Sequence, residues 1–222
     1  MGKKKYVLCY GDSNTWGVTP DRNGFYNFLR RVPEDERWTG IAQNLLGDEY
    51  KLLVDGNCGR TTVWEDPIEG DKNGNLYLKP CLWAQMPLDL VVIMLGTNDL
   101  KPRFAVNAWD VALGVEVLIN TVLKSGCGEG GTTPPILIMS PILVGENIGE
   151  TWLDGMFGGW ERGKLSLDFA RHFKTVADKY HCHFLDAAQY ARPSDEDCIH
   201  IRLEDHRPLG EAVAAKIREI LG

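Results

Sequence analysis

Several features that would place the 222-residue chain in a large functional class are missing from it. Its six cysteines, at positions 9, 58, 81, 127, 182 and 198, include no C-x-x-C pair and show no metal-ligand spacing. That argues against a zinc module or a dithiol redox centre. Basic residues are in the minority, with 24 Lys and Arg against 31 Asp and Glu and a net charge of -7. Phosphate backbones are bound by clustered Lys and Arg, so nucleic acid is not an expected partner. The one basic cluster, Lys3–Lys5, reads as a solvated terminus. The longest apolar run, around Leu90–Gly96, is far too short to span a bilayer, and the run after Lys5 is too short for a signal peptide. No membrane partner is expected, and the location expected is cytoplasmic, with reduced thiols. No Gly-rich phosphate loop, repeat or low-complexity tract appears, and no carboxylate pair suggests glycosidase chemistry. The expectation is a protein without cofactor or metal.

What the chain does have is an alternation of strand and helix patterns from end to end. Apolar runs at Tyr6–Tyr10, Tyr50–Asp55, Asp89–Leu95, Pro135–Met139 and His183–Leu185 read as strands. Several lack period-two alternation, which suits a parallel sheet covered on both faces. Helical stripes follow at Trp38–Leu46, Ala108–Lys124, Lys164–Tyr180 and Arg207–Leu221. The pattern predicts one doubly wound α/β domain over residues 1–222 with right-handed crossovers. Two segments break the rhythm. Asp21–Glu36 is a polar loop, and Leu143–Gly163 carries Trp152, Met156, Phe157 and Trp160 without a clear period. Long irregular segments in compact domains usually serve function, so Leu143–Gly163 is expected to form a pocket wall or a subunit contact.

The first strand stops at Gly11-Asp12-Ser13, the composition of a simple turn or of a loop presenting a hydroxyl. Three further polar clusters follow strands or precede the last helix: Asp55–Thr62, Gly96–Asp99 and Asp197–His200. In a parallel sheet the carboxyl ends of all strands lie on one edge, so these loops converge. Together they hold the parts of nucleophilic acyl transfer. Ser13 is the nucleophile, His200 the base, and Asp197 can bend back to orient the imidazole. Asn98 and the N–H groups of Gly59 and Ser13 are candidate oxyanion donors. His206 is the rival base. Asp12 and Asp99 are read as loop-fixing carboxylates, Arg60 as one side of a structural ion pair, and Asn57 as the weaker alternative to Asn98. Trp16 is either core or the floor of an acyl pocket.

These blocks resemble those of the SGNH (GDSL) hydrolases: G-D-S at 11–13, Gly59-Arg60, G-T-N-D at 96–99 and D-x-x-H at 197–200. The longer runs G-D-S-N-T-W-G, R-W-T-G at Arg37–Gly40 and R-T-T at Arg60–Thr62 are similar to the arylesterase/acyltransferase (perhydrolase-like) branch. The resemblance implies a five-stranded sheet in flavodoxin-like order, with Ser13, Asp197 and His200 as triad and Ser13, Gly59 and Asn98 as oxyanion hole. It further implies hydrolysis of short-chain, acetyl-type esters, with possible transfer to alcohols or peroxide, and a homo-oligomer. A carbohydrate acetylesterase, thioesterase or lysophospholipase of the same family is the alternative, with a non-catalytic binding protein behind it. Asn14 stands where the family's motif has Leu; with Trp16, Trp152 and Phe157 it is assigned to the substrate pocket.

Overall fold

The computed structural model describes residues 3–22 and 30–222, so part of the expected Asp21–Glu36 loop, residues 23–29, lies outside the described residues. Five strands run parallel in the order β2-β1-β3-β4-β5. They are β1 Lys5–Gly11, β2 Tyr50–Gly56, β3 Leu90–Met94, β4 Ile136–Ser140 and β5 His183–Asp186. Around them lie α1 Ser13–Trp16, α2 Trp38–Leu46, α3 Gly74–Gln85 and α4 Ala108–Leu123. After β4 come α5 Asp154–Phe157, α6 Gly159–Gly163 and α7 Phe169–Lys179, and α8 His206–Leu221 closes the chain. This is the flavodoxin-like order, whose ligand crevice opens between β1 and β3, where the strand order reverses. The turn after β1 carries Ser13 and the turn after β3 carries Asn98.

The middle of the sheet is apolar because successive residues of its strands feed two different cores. Leu8, Tyr10, Val91, Ile93, Ile136 and Ile138 pack with Leu82 of α3, Val115 of α4 and Phe173 of α7. Their neighbours in sequence, Val7, Cys9, Val92, Met94, Leu137 and Met139, pack with Trp38 of α2 and Val213 of α8. Side chains alternate across a strand, so consecutive apolar residues supply opposite layers. Both cores anchor the sheet edge from which the polar loops project.

Two segments differ from the sequence expectation. Helix α3 carries no clear apolar stripe: Leu78 and Leu82 are buried while Leu76, Tyr77 and Trp83 stay exposed, and Pro80 sits inside it. Its start is fixed locally, because the Asn73 side chain accepts the N–H groups of Asn75 and Leu76. The Leu143–Gly163 segment is built from short helical turns whose Ile148, Leu153 and Phe157 join the core. Among the described residues no helix is long and apolar enough to cross a membrane.

Candidate active site

Ser13 is the first residue of α1, one turn of helix set directly on the end of β1. Asp12 caps that turn by accepting the Asn14 N–H at 2.9 Å. The turn folds back so tightly that a Cβ on Gly11 would lie 2.1 Å from Thr15 Oγ1 and 2.8 Å from the Met94 carbonyl, so glycine alone fits there. As the first residue of a helix, Ser13 has an N–H with no intrahelical acceptor.

His200 reaches this turn from the far end of the chain. Its Nε2 lies 3.0 Å from Ser13 Oγ and its Nδ1 lies 2.8 Å from Asp197 Oδ2. A carboxylate only accepts, so Nδ1 carries the proton and Nε2 is left to accept from the serine hydroxyl. Asp197 is fixed by its own loop: Oδ1 accepts the N–H groups of Ile199 and His200 at 3.1 and 3.0 Å. Burial pushes this carboxyl up, but the imidazole and those N–H groups outweigh it and hold Asp197 below its ordinary value. The hydroxyl and ring are almost enclosed, Ser13 being 6% and His200 4% exposed. An ionised acid behind an imidazole, with a hydroxyl before it, is an arrangement able to carry out nucleophilic acyl transfer.

The rival base is placed elsewhere. His206 opens α8 and its Nδ1 accepts the Trp38 N–H at 3.3 Å, while its buried Nε2 has no protein partner among the described residues. Burial lowers it to about 4, so the ring is neutral.

The loop after β2 lies against the same edge. The Asn57 N–H donates to the Gly11 carbonyl at 3.1 Å, and its side chain is turned away toward the Asp71 carbonyl. Arg60 is a structural residue: its guanidinium donates to the carbonyls of Gly11 and Asp55 and to Asp55 Oδ1 at 2.8–2.9 Å. It also stacks over the Tyr10 ring at 4.0 Å. Between them Gly59 turns at φ +84°, and its N–H meets no acceptor among the described residues. Asn98 donates one amide hydrogen to the Arg60 carbonyl at 3.2 Å, which leaves the second for a ligand. The loop that holds Gly59 is thereby linked to Asn98 as well as to the end of β1.

Neighbouring residues of the β3 loop repeat that link. Both oxygens of Asp99 accept the Thr62 N–H at 3.1 Å, and the Thr62 hydroxyl donates to Oδ1. Burial pushes Asp99 up to about 7 and Asp12 up to about 6. Farther out, buried Lys101 pairs with Glu69 and with Asp66 at 3.6 Å, and Arg103 pairs with Asp66 at 2.9 Å. These ion pairs were invisible in sequence. D-x-x-E at 66–69 and K-x-R at 101–103 look like solvated charge until the two loops are seen face to face.

Of the residues assigned to a substrate pocket, two are placed otherwise. Phe157 is 1% exposed and belongs to the core, because its ring is packed under the apolar loops beside Lys101. Asn14 is 4% exposed, and its amide is bound to the backbone on either side of His200. Trp16 is half-buried beneath the Arg31 guanidinium, 4.9 Å from its ring, and Trp152 donates through Nε1 to the Asp21 carbonyl at 3.0 Å.

The description of one family fits residues 9–206, the GDSL-like lipase/acylhydrolase family. Among solved structures, the native aryl esterase of M. smegmatis is 37% identical, with 98% of this chain and 100% of that one covered and a TM-score of 0.89. Est24, a carbohydrate acetylesterase from Sinorhizobium meliloti, is 36% identical over 97% of this chain and 99% of its own, also with a TM-score of 0.89. Among curated proteins none matches.

Proposed function

The chain belongs to the GDSL-like lipase/acylhydrolase family and is a carboxylic-ester hydrolase; on that premise we propose that it cleaves short-chain, acetyl-type esters through a serine-bound acyl intermediate. The observation that carries the reading is the continuous chain Ser13 Oγ, His200 Nε2, His200 Nδ1, Asp197 Oδ2, with contacts of 3.0 and 2.8 Å.

In this mechanism His200 takes the hydroxyl proton as Ser13 Oγ bonds to the ester carbonyl carbon. The carbonyl π electrons move onto oxygen, where the N–H groups of Ser13 and Gly59 and the free hydrogen of the Asn98 amide stabilise the charge. Collapse expels the alkoxide, which leaves as alcohol with the proton from His200. Water then enters by the same route in reverse, giving its proton to His200 and releasing the acid and Ser13. Throughout, Asp197 keeps Nδ1 protonated and stabilises the imidazolium. An alcohol or peroxide in place of water would accept the acyl group instead.

The likeness to the Sinorhizobium meliloti carbohydrate acetylesterase favours a second reading, in which the alcohol part is a sugar. Rates on p-nitrophenyl esters of increasing chain length, set beside acetylated sugars, test both. Activity confined to chains of eight or more carbons would overturn the short-acyl reading. A fluorophosphonate probe that fails to label Ser13 would favour a binding protein. The reading extends to a homo-oligomer in the cytoplasm. Exposed Trp83, Trp109, Leu113 and Val117 on α3 and α4 support the first part, and six free cysteines suit a reducing compartment. Sedimentation of the intact chain tests the assembly.

A further inference from the structure

Asn14 sits immediately after the proposed nucleophile, yet its side chain is committed to a loop at the other end of the sequence. Its Nδ2 donates to the Ile199 carbonyl at 3.0 Å, and its Oδ1 accepts the Ile201 N–H at 3.0 Å. Those two groups flank His200. The backbone of Asn14 is held too, its N–H by Asp12 Oδ1 and its carbonyl by Trp38 Nε1, each at 2.9 Å. A primary amide presents a donor and an acceptor on one plane, as a peptide group does. Asn14 therefore meets the 199–201 backbone as an added peptide unit would, its amide oxygen, one amide hydrogen and both backbone groups paired.

Asp197 cannot fulfil this role. It belongs to the same loop as His200, so it orients the ring relative to that loop and would move with it. The loop is also tied to the segment that follows β4 through the Gly145 N–H on the Cys198 carbonyl at 2.7 Å, a link that does not touch the turn of Ser13. We propose that Asn14 is a positioning residue that fixes the backbone of the base to the turn of the nucleophile, and so sets the separation of Ser13 Oγ and His200 Nε2. The proposal rests on Ser13 and His200 acting as described above. A small displacement between reacting groups can cost on the order of 10²-fold in rate, which makes such a link worth building in.

The test uses Asn14→Leu, close in shape but without polar atoms, and Asn14→Asp, which keeps an acceptor opposite the Ile201 N–H but turns another against the Ile199 carbonyl. The measurements are kcat and KM on p-nitrophenyl acetate, the rate of Ser13 labelling by a fluorophosphonate, and Tm. His206→Asn, which perturbs the buried start of α8, serves as a control for lost stability alone. Both Asn14 variants are expected to lose about 10–100-fold in kcat and in labelling rate, with KM within about threefold of the parent. The control is expected to keep kcat within about threefold even where its Tm falls as far. A folded Asn14 variant with parental kcat and labelling rate would overturn the proposal, as would failure of both variants to fold, which would make the residue structural. A parent that neither hydrolyses esters nor labels at Ser13 would instead overturn the esterase reading, and this inference with it.

Discussion

His200 and His206 are six residues apart in sequence, both all but excluded from solvent, and both preceded by an aspartate within three residues, yet their surroundings suit opposite purposes. Each ring nitrogen of His200 has a partner: an ionised carboxylate behind and a hydroxyl in front. His206 has a backbone N–H on one nitrogen and no protein group on the other, and burial lowers it to about 4. Burial keeps the His206 ring neutral, whereas the carboxylate on His200 Nδ1 fixes the tautomer that leaves Nε2 to accept from the hydroxyl. The same contrast divides the carboxylates. Asp197 has an imidazole and two N–H groups and is held low, whereas Asp99 faces Thr62 without a cation and is pushed up to about 7.

The largest expected effect sets the two histidines against each other. His200→Ala should lower kcat on p-nitrophenyl acetate by about 10⁴–10⁶, as should Ser13→Ala, and the His200/Ser13 double variant should lose little more than either alone. His206→Ala should stay within about tenfold of the parent; a silent His206→Ala beside an active His200→Ala would invert the assignment. Next comes Asn98→Ala, which should cost about 10²–10³ in kcat with little change in KM if the free amide hydrogen meets the oxyanion. An unchanged kcat would leave Asn98 only its bond to the Arg60 carbonyl.

Smaller effects concern stability. The folded state holds His206 neutral down to about 4, whereas the unfolded chain protonates it near its ordinary 6.5. The unfolded state therefore binds more protons between those values, and stability falls as pH drops from about 6.5 to about 4. Tm of His206→Asn measured across that window should fall less steeply than that of the parent. For Asp99 the sign is reversed, since the folded carboxyl keeps its proton up to about 7 while the unfolded one releases it near 3.8. Its contribution is greatest below the unfolded value and is lost as pH rises toward about 7. Asp99→Asn retains an acceptor for the Thr62 N–H without the buried charge, so its Tm relative to the parent should rise between about pH 4 and about pH 8. A relative Tm that is flat over that range would show that Asp99 does not titrate there.

Much of the fold could be read before any coordinates, because the strands and amphipathic helices are local patterns. The expected helix at Trp38–Leu46 coincides with α2, and the five strands fall where the apolar runs predict them. Helix α3 escaped because Pro80 and its exposed Leu76, Tyr77 and Trp83 give neither a breaker-free run nor a stripe. Phe157 was misplaced for the opposite reason: an aromatic among glycines has no period to reveal that it faces the core. The order of the G-D-S, Gly-Arg, G-T-N-D and D-x-x-H blocks was enough to identify the residues that meet at the sheet edge. It could say nothing of Asp66, Glu69, Lys101 and Arg103, whose buried pairing joins two loops more than thirty residues apart.

Local chemistry in the chain is enough to set where strands end, which turn carries Ser13, and that Asp197 can bend back on His200, since these involve neighbours in sequence. The meeting of His200 rather than His206 with Ser13 lies beyond it, because the contact joins positions 187 residues apart. The same holds for Asn14, whose side chain faces backbone 185 and 187 residues away. A side chain's partner across such distances depends on how the sheet, α8 and the loops pack, and it is that packing which sets one of two similar buried histidines against Ser13 and the other against Trp38.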